Sequence, residues 1–164
     1  MELKKAIKQL ESSKEFKEFK KKDKTHKLAH AFTILDKEEQ QDWQIGYYSK
    51  KSDKVIVFTV GKEITISPEE EVFKKPGHKV ELLDLKNVSI TLEEAIKKSE
   101  EIVKKKYSAE IINKTIVILQ CLKTEMYNLT LVSQSFNIIN IKINSKNGKV
   151  LHESKQSIIE LGKR

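Results

Sequence analysis

The chain of 164 residues carries 38% hydrophobic and 34% charged side chains, a proportion suited to a globular fold with a heavily solvated surface. Its formal charge of +8 is almost pure lysine charge: Arg164 is the sole arginine among 32 basic residues, and 24 acids are scattered among them. That disfavours bidentate recognition of phosphate or guanine, no run approaches the ~18 apolar residues of a membrane span, and a lone cysteine, Cys121, excludes an intrachain disulfide.

In chain order, ELKKAIKQLE places Leu3, Ala6, Ile7 and Leu10 on one helical face. Phe16 and Phe19 fall nearly opposite that face, so a break is expected near Ser12 and Ser13, with Ser12 and Glu15 forming a capping box for a second short helix. That helix should end at Lys20-Lys21-Lys22, cations that suit a helix C-terminus. LAHAFTIL (28–35), WQIGYYS and VIVFTV read as strands, and Gly61-Lys62 can turn the chain into Ile64-Thr65-Ile66, which Pro68 ends.

Residues 68–90 form a connector, with PEEE as a short helix or loop and VELLDL as a further strand. Thr91 and Glu94 then make a clean capping box for a helix with Leu92, Ala95, Ile96, Ser99, Ile102, Val103 and Tyr107 on one face. Lys104-Lys105-Lys106 close that helix, and the strands IINKTIVILQCL, YNLTLVS, FNIINIKIN and KVLHES follow. Asn147-Gly148 marks a tight hairpin between the last two.

The second half repeats the first. An offset of 84 residues pairs 20–66 without a gap: Trp43 falls on Tyr127, Ile45 on Leu129, and Val55, Val57 and Thr59 on Ile139, Ile141 and Ile143. The helices match at 89, with Leu3 on Leu92, which locates five extra residues in the first half where the helical phase slips. The expected fold is α+β: two α-β-β-β-β repeats at 1–67 and 91–160, each a four-stranded antiparallel sheet with a helix packed on one face.

The second half, with ITLEEAIKKSEEIVKK, the strands YNLTLVS and NIINIKIN, and the ending INSKNGKVLHES, resembles a PepSY domain. The tandem layout is similar to that of β-lactamase inhibitor proteins, whose paired sheets form a concave surface. The resemblance implies a non-catalytic module that binds or inhibits a protein partner, such as a peptidase, or assists its folding.

No catalytic constellation stands against that expectation. There is no nucleophile elbow, P-loop or dinucleotide turn, so no enzyme activity and no cofactor is expected. His26, His30, His78 and His152 read as non-ligands, because the spacing of His26 and His30 brings two side chains close on one face only on a helix, and no metal is expected. Cys121, in IVILQCL, reads as an inert thiol.

If Trp43, Ile45, Tyr47, Val55 and Val57 face the helices, then Tyr48, Ile56, Phe58 and Val60 make an apolar outer face. Their counterparts Val132, Asn140, Lys142 and Asn144 make a polar one. Such a patch points to a protein partner or homodimer through the open sheet face, or to cover by connector residues including Val72, Phe73, Val80, Leu82, Leu83 and Leu85. The alternative function is a lysine-rich binder of nucleic acid or an anionic surface. Without a signal peptide, the sequence reads as cytoplasmic.

Overall fold

The structure is a computed structural model that describes residues 1–37, 39–72 and 77–161. Helix α1 (Leu3–Glu11) buries Leu3, Ala6, Ile7 and Leu10, and α2 (Lys14–Lys22) buries Phe16. The break between them falls where the phase conflict requires it, though Ser13 rather than Ser12 is the cap: its hydroxyl accepts from the Phe16 N–H. Helix α3 (Leu92–Lys106) opens on a reciprocal capping box, with Thr91 Oγ1 accepting from the Glu94 N–H at 3.1 Å and Glu94 Oε2 from the Thr91 N–H at 2.7 Å. Both lysine triplets occupy last turns, where the helix dipole favours positive charge. A short α4 (Ile158–Leu161) follows the last strand.

The strands are β1 (His26–Asp36), β2 (Glu39–Gln40), β3 (Trp43–Ser49), β4 (Lys54–Val60), β5 (Ile64–Ile66), β6 (Glu70–Glu71), β7 (Ile112–Leu122), β8 (Thr124–Ser133), β9 (Asn137–Asn144) and β10 (Val150–Ser157). They form one antiparallel sheet in the order β10-β9-β8-β7-β1-β3-β4-β5, with β2 paired to β1 and β6 to β4. The combination of helices with antiparallel strands is as expected, and the described strands number ten, more than two four-stranded repeats supply. β1 and β7 pair from His30 opposite Gln120 to Asp36 opposite Lys114, fusing everything into a single sheet of ten strands. VELLDL forms no strand; a 3-10 turn, Leu85–Asn87, occupies its end.

Helices α1, α2 and α3 lie on one face. Beneath them, Trp43, Ile45, Phe58, Val60, Val117, Leu119, Tyr127, Leu129, Ile139, Ile141 and Ile143 form one buried cluster. Two aromatic side chains anchor the helix starts in parallel ways. Trp43 Nε1 donates to the Met1 carbonyl and the Tyr127 hydroxyl to the Ile90 carbonyl, each at 2.8 Å, so both large buried side chains keep their polar atoms satisfied.

The connector runs along the strand ends. The Leu83 N–H donates to the Leu28 carbonyl, the Glu81 carboxylate accepts from the Lys123 N–H, and the Ser89 and Ile90 N–H groups both donate to the Ser145 carbonyl. Leu83 and Val88 join the common buried cluster, Leu85 packs against it, and Leu82 is exposed. Phe73, expected among the covering residues, lies outside the described residues, as does Arg164.

No single offset relates the halves. The left-handed turn residues Lys37 and Lys123 are 86 residues apart and Asp53 and Phe136 are 83 apart, whereas β3 and β8 keep the spacing of 84, from Trp43 with Tyr127 to Ser49 with Ser133.

Candidate functional site

Strand alternation fixes what points away from the helices. At the central joint, Phe32 lies opposite Ile118 and Ile34 opposite Ile116, four partly exposed apolar side chains on the helix-free face. Outward through the first half the neighbours become Gln44 and Thr59, then Gly46 with Val57 and Tyr48 with Val55. Outward through the second half they are Asn128 and Lys142, then Thr130 and Asn140. Asn140 is held in place: its amide donates to Asn128 Oδ1 at 2.7 Å and to the Leu129 carbonyl at 3.1 Å. The result is an apolar stripe two strands wide, flanked by Gln44 and Thr59 on one side and by Asn128, Thr130, Asn140 and Lys142 on the other.

Of the residues expected to form this surface, only Tyr48 lies on it, 7% exposed and hydrogen-bonded to Asp53. The expectation for Ile56, Phe58 and Val60 is corrected. Ile56 pairs with Tyr47, Phe58 with Ile45 and Val60 with Trp43, so all three share the helix side. Phe58 is 0% exposed, with its ring centroid 5.5 Å from Phe16, 5.3 Å from Phe19 and 5.7 Å from Tyr47. A four-residue turn, 50–53, brings Ser49 opposite Lys54 and so pairs odd positions of β3 with even positions of β4.

In the second half, Val132, Asn140, Lys142 and Asn144 do lie on the helix-free face. What the sequence reading missed is the central stripe. Its signal was available, since FTIL and IVIL are apolar or nearly so at every position, as expected of strands covered on both sides.

The four histidines do not converge. His30 lies on the helix-free face, its ring so close over Gly46 that an added Cβ there would sit 2.1 Å from the His30 Cε1; burial lowers its pKa. His26 is fully buried on the other face against the Phe19 ring, with Nδ1 3.1 Å from Asp23 and Nε2 3.4 Å from Glu69. A β-bulge between Leu28 and His30 separates the two histidines. His152 Nε2 lies 3.1 Å from Ser154 Oγ, and His78 is exposed. Among the described residues no group of three or more His, Cys, Asp or Glu side chains could hold a metal ion.

The Cys121 thiol is pushed up to about 11 by partial burial and by the nearby Glu125 and Glu81 carboxylates, so it remains protonated at neutral pH. On the helix side, a groove of about 790 Å³ opens between the residues preceding α1 and the flank of α3. Trp43 and Tyr127 line it, but their polar atoms are already committed to backbone carbonyls. No described helix is long and apolar enough to cross a membrane.

No protein-family model matches the chain, and no curated protein matches it. Among solved structures, it is similar to a candidate lipoprotein of Clostridium difficile at a TM-score of 0.55 and 18% identity, over 87% of this chain and 90% of that one. At that identity the likeness bears on the fold alone.

Proposed function

We propose that the chain is a non-catalytic binding or inhibitory module that engages a protein partner through the helix-free face of its sheet. The observation that carries this reading is the pair of apolar rungs, Phe32 with Ile118 and Ile34 with Ile116, facing away from α1, α2 and α3 at the middle of the sheet. An apolar stripe with a hydrogen-bonded amide pair, Asn128 and Asn140, along one side suits a protein surface better than a solvated one. The PepSY resemblance supplies the partner class, an enzyme such as a peptidase.

The finer architecture belongs to the same proposal: two α-β-β-β-β units, 1–67 and 91–160, set side by side. Its support lies in the equivalent anchors, since Trp43 and Tyr127 each tie a second long strand to the carbonyl just before a helix.

The test uses the immobilised full chain to recover a partner from native extract, followed by binding measurements with Phe32→Ser and Ile118→Ser. Both variants should keep the wild-type circular dichroism spectrum and lose at least tenfold in affinity. Unchanged affinity in both rejects the face. If the chain instead takes up generic nucleic acid with an affinity that collapses between low and moderate salt, the lysine-driven alternative replaces this reading.

A further inference from the structure

The two edges of the sheet differ. On one side β5 covers only three residues and β6 two, and Pro68 interrupts the edge between them. On the other, β10 is eight residues long, and no described strand pairs with its outer side. A long unpaired edge is a ready template for another strand.

The charged residues of this edge already have partners on the helix side: Lys155 Nζ lies 3.1 Å from Glu110 Oε1 and 5.7 Å from the Tyr107 ring centroid, and the Glu153 carboxylate accepts from Lys106 Nζ and the Tyr107 hydroxyl. The bulge in β10 falls between Val150 and His152, leaving 152–157 in regular register with β9.

We propose that β10 pairs with β10 of a second copy of this chain, antiparallel about a two-fold axis at Ser154. This goes beyond the functional reading above, because it uses the sheet edge rather than the face. The sequence of the edge is self-complementary in that register. Glu153 falls opposite Lys155 of the second copy, and Lys155 opposite its Glu153, so on one face each adds an opposite charge beside an ion pair made within its own chain, Glu153 with Lys106 and Lys155 with Glu110. His152 falls opposite Gln156.

The apolar ends also meet. Val150 and Leu151, 42% and 44% exposed, approach the second copy's α4 start, where Ile159 is 64% exposed. Each end supplies what the other lacks, as an isologous interface requires.

The register is tested by cysteine placement in the full chain with Cys121→Ser. Ser154→Cys puts two thiols directly opposite across the axis, where Cβ atoms lie ~4.5–5.5 Å apart, and mild oxidation should give a covalent dimer. His152→Cys is the control: four residues of displacement separate its two copies by about 13 Å, so it should stay monomeric on a non-reducing gel. Sedimentation then reads the charges. Lys155→Glu should weaken dimerisation about tenfold, and Glu153→Lys combined with Lys155→Glu should restore it.

Far-UV circular dichroism of each variant confirms that the fold is retained. A monomer mass at every concentration, together with no Ser154→Cys cross-link, overturns the proposal. So does equal cross-linking by His152→Cys, or a dimer indifferent to Lys155→Glu. Phe32→Ser should dimerise normally, so failure of the face reading and failure of this one are separable.

Discussion

Replacing Phe58 with alanine tests how the first half is held together. Its ring contacts both aromatic residues of α2, Phe16 and Phe19, and stacks edge-on to Tyr47. Emptying a fully buried phenylalanine site costs ~3–5 kcal/mol, of which each lost aromatic pair accounts for roughly 0.5–1.5 kcal/mol. Helix α2 has nine residues, too few to persist in water unaided, so its docking depends on this cluster.

We therefore expect Phe58→Ala to lose about 4 kcal/mol in urea unfolding followed by circular dichroism, a large share of the ~5–15 kcal/mol typical of a domain. Because Phe16 and Phe58 touch, a cycle with Phe16→Ala should show coupling of at least ~0.5 kcal/mol. A loss under about 1 kcal/mol, or strict additivity with Phe16→Ala, would refute the placement of Phe58 in the core. Phe58→Asp is expected to unfold the protein outright, since a carboxylate there has no partner to offset its desolvation.

Three further outcomes follow from local geometry. Gly46→Ala should destabilise by ~1–3 kcal/mol, because the new methyl meets the His30 ring, and much of that loss should vanish in a His30→Ala background; equal cost in both backgrounds removes the explanation. The Tyr47 hydroxyl is buried without a hydrogen-bond partner among the described residues, so Tyr47→Phe should be neutral or stabilising by up to ~1 kcal/mol in the same unfolding assay, and a clear loss would reveal a partner. Hydrogen bonds from Ser135, Ser133 and Asn137 hold the Glu110 carboxyl down to about 2. A carboxyl lowered on folding stabilises at pH above its ordinary 4.5, and that contribution disappears as pH falls through about 2. Glu110→Gln should therefore flatten the melting-temperature profile between those values, and an unaltered acid slope would contradict the clamp.

The helices were legible because their signals are local. Thr91 with Glu94 names the start of α3 outright, and the opposed faces of Leu10 and Phe16 require the break that the structure places at Ser12 and Ser13. The hairpin at Asn147-Gly148 was equally plain: Gly148 has φ 75° and Asn144 Oδ1 accepts from the Lys146 N–H.

The phase of β4 was not legible. VIVFTV is apolar at five of six positions, so alternation is silent there and the parity of the preceding turn decides which side chains go inward. Assuming one offset of 84 carried the phase of Ile141 onto Val57, whereas the register places Phe58 in the equivalent position, opposite Ile45 as Ile141 is opposite Leu129. The joint between β1 and β7 was hidden for another reason. It is a contact between strands distant in sequence, and only their doubly apolar character hinted at it.

That joint also sets a clock on synthesis. Thr33 pairs with Val117, so β1 cannot complete its pairing until some 84 further residues have left the ribosome, about 4–17 s at ordinary elongation rates. During that interval the first half can form its hairpins and dock α1 and α2, yet one side of β1, with Phe32 and Ile34, stays open. Two chains growing on the same message would each hold an unfilled β1 and, soon after, a free β7. Exchange of β7 between them is the misassembly this topology invites, and the delay is fixed by strand order rather than by the strength of any contact.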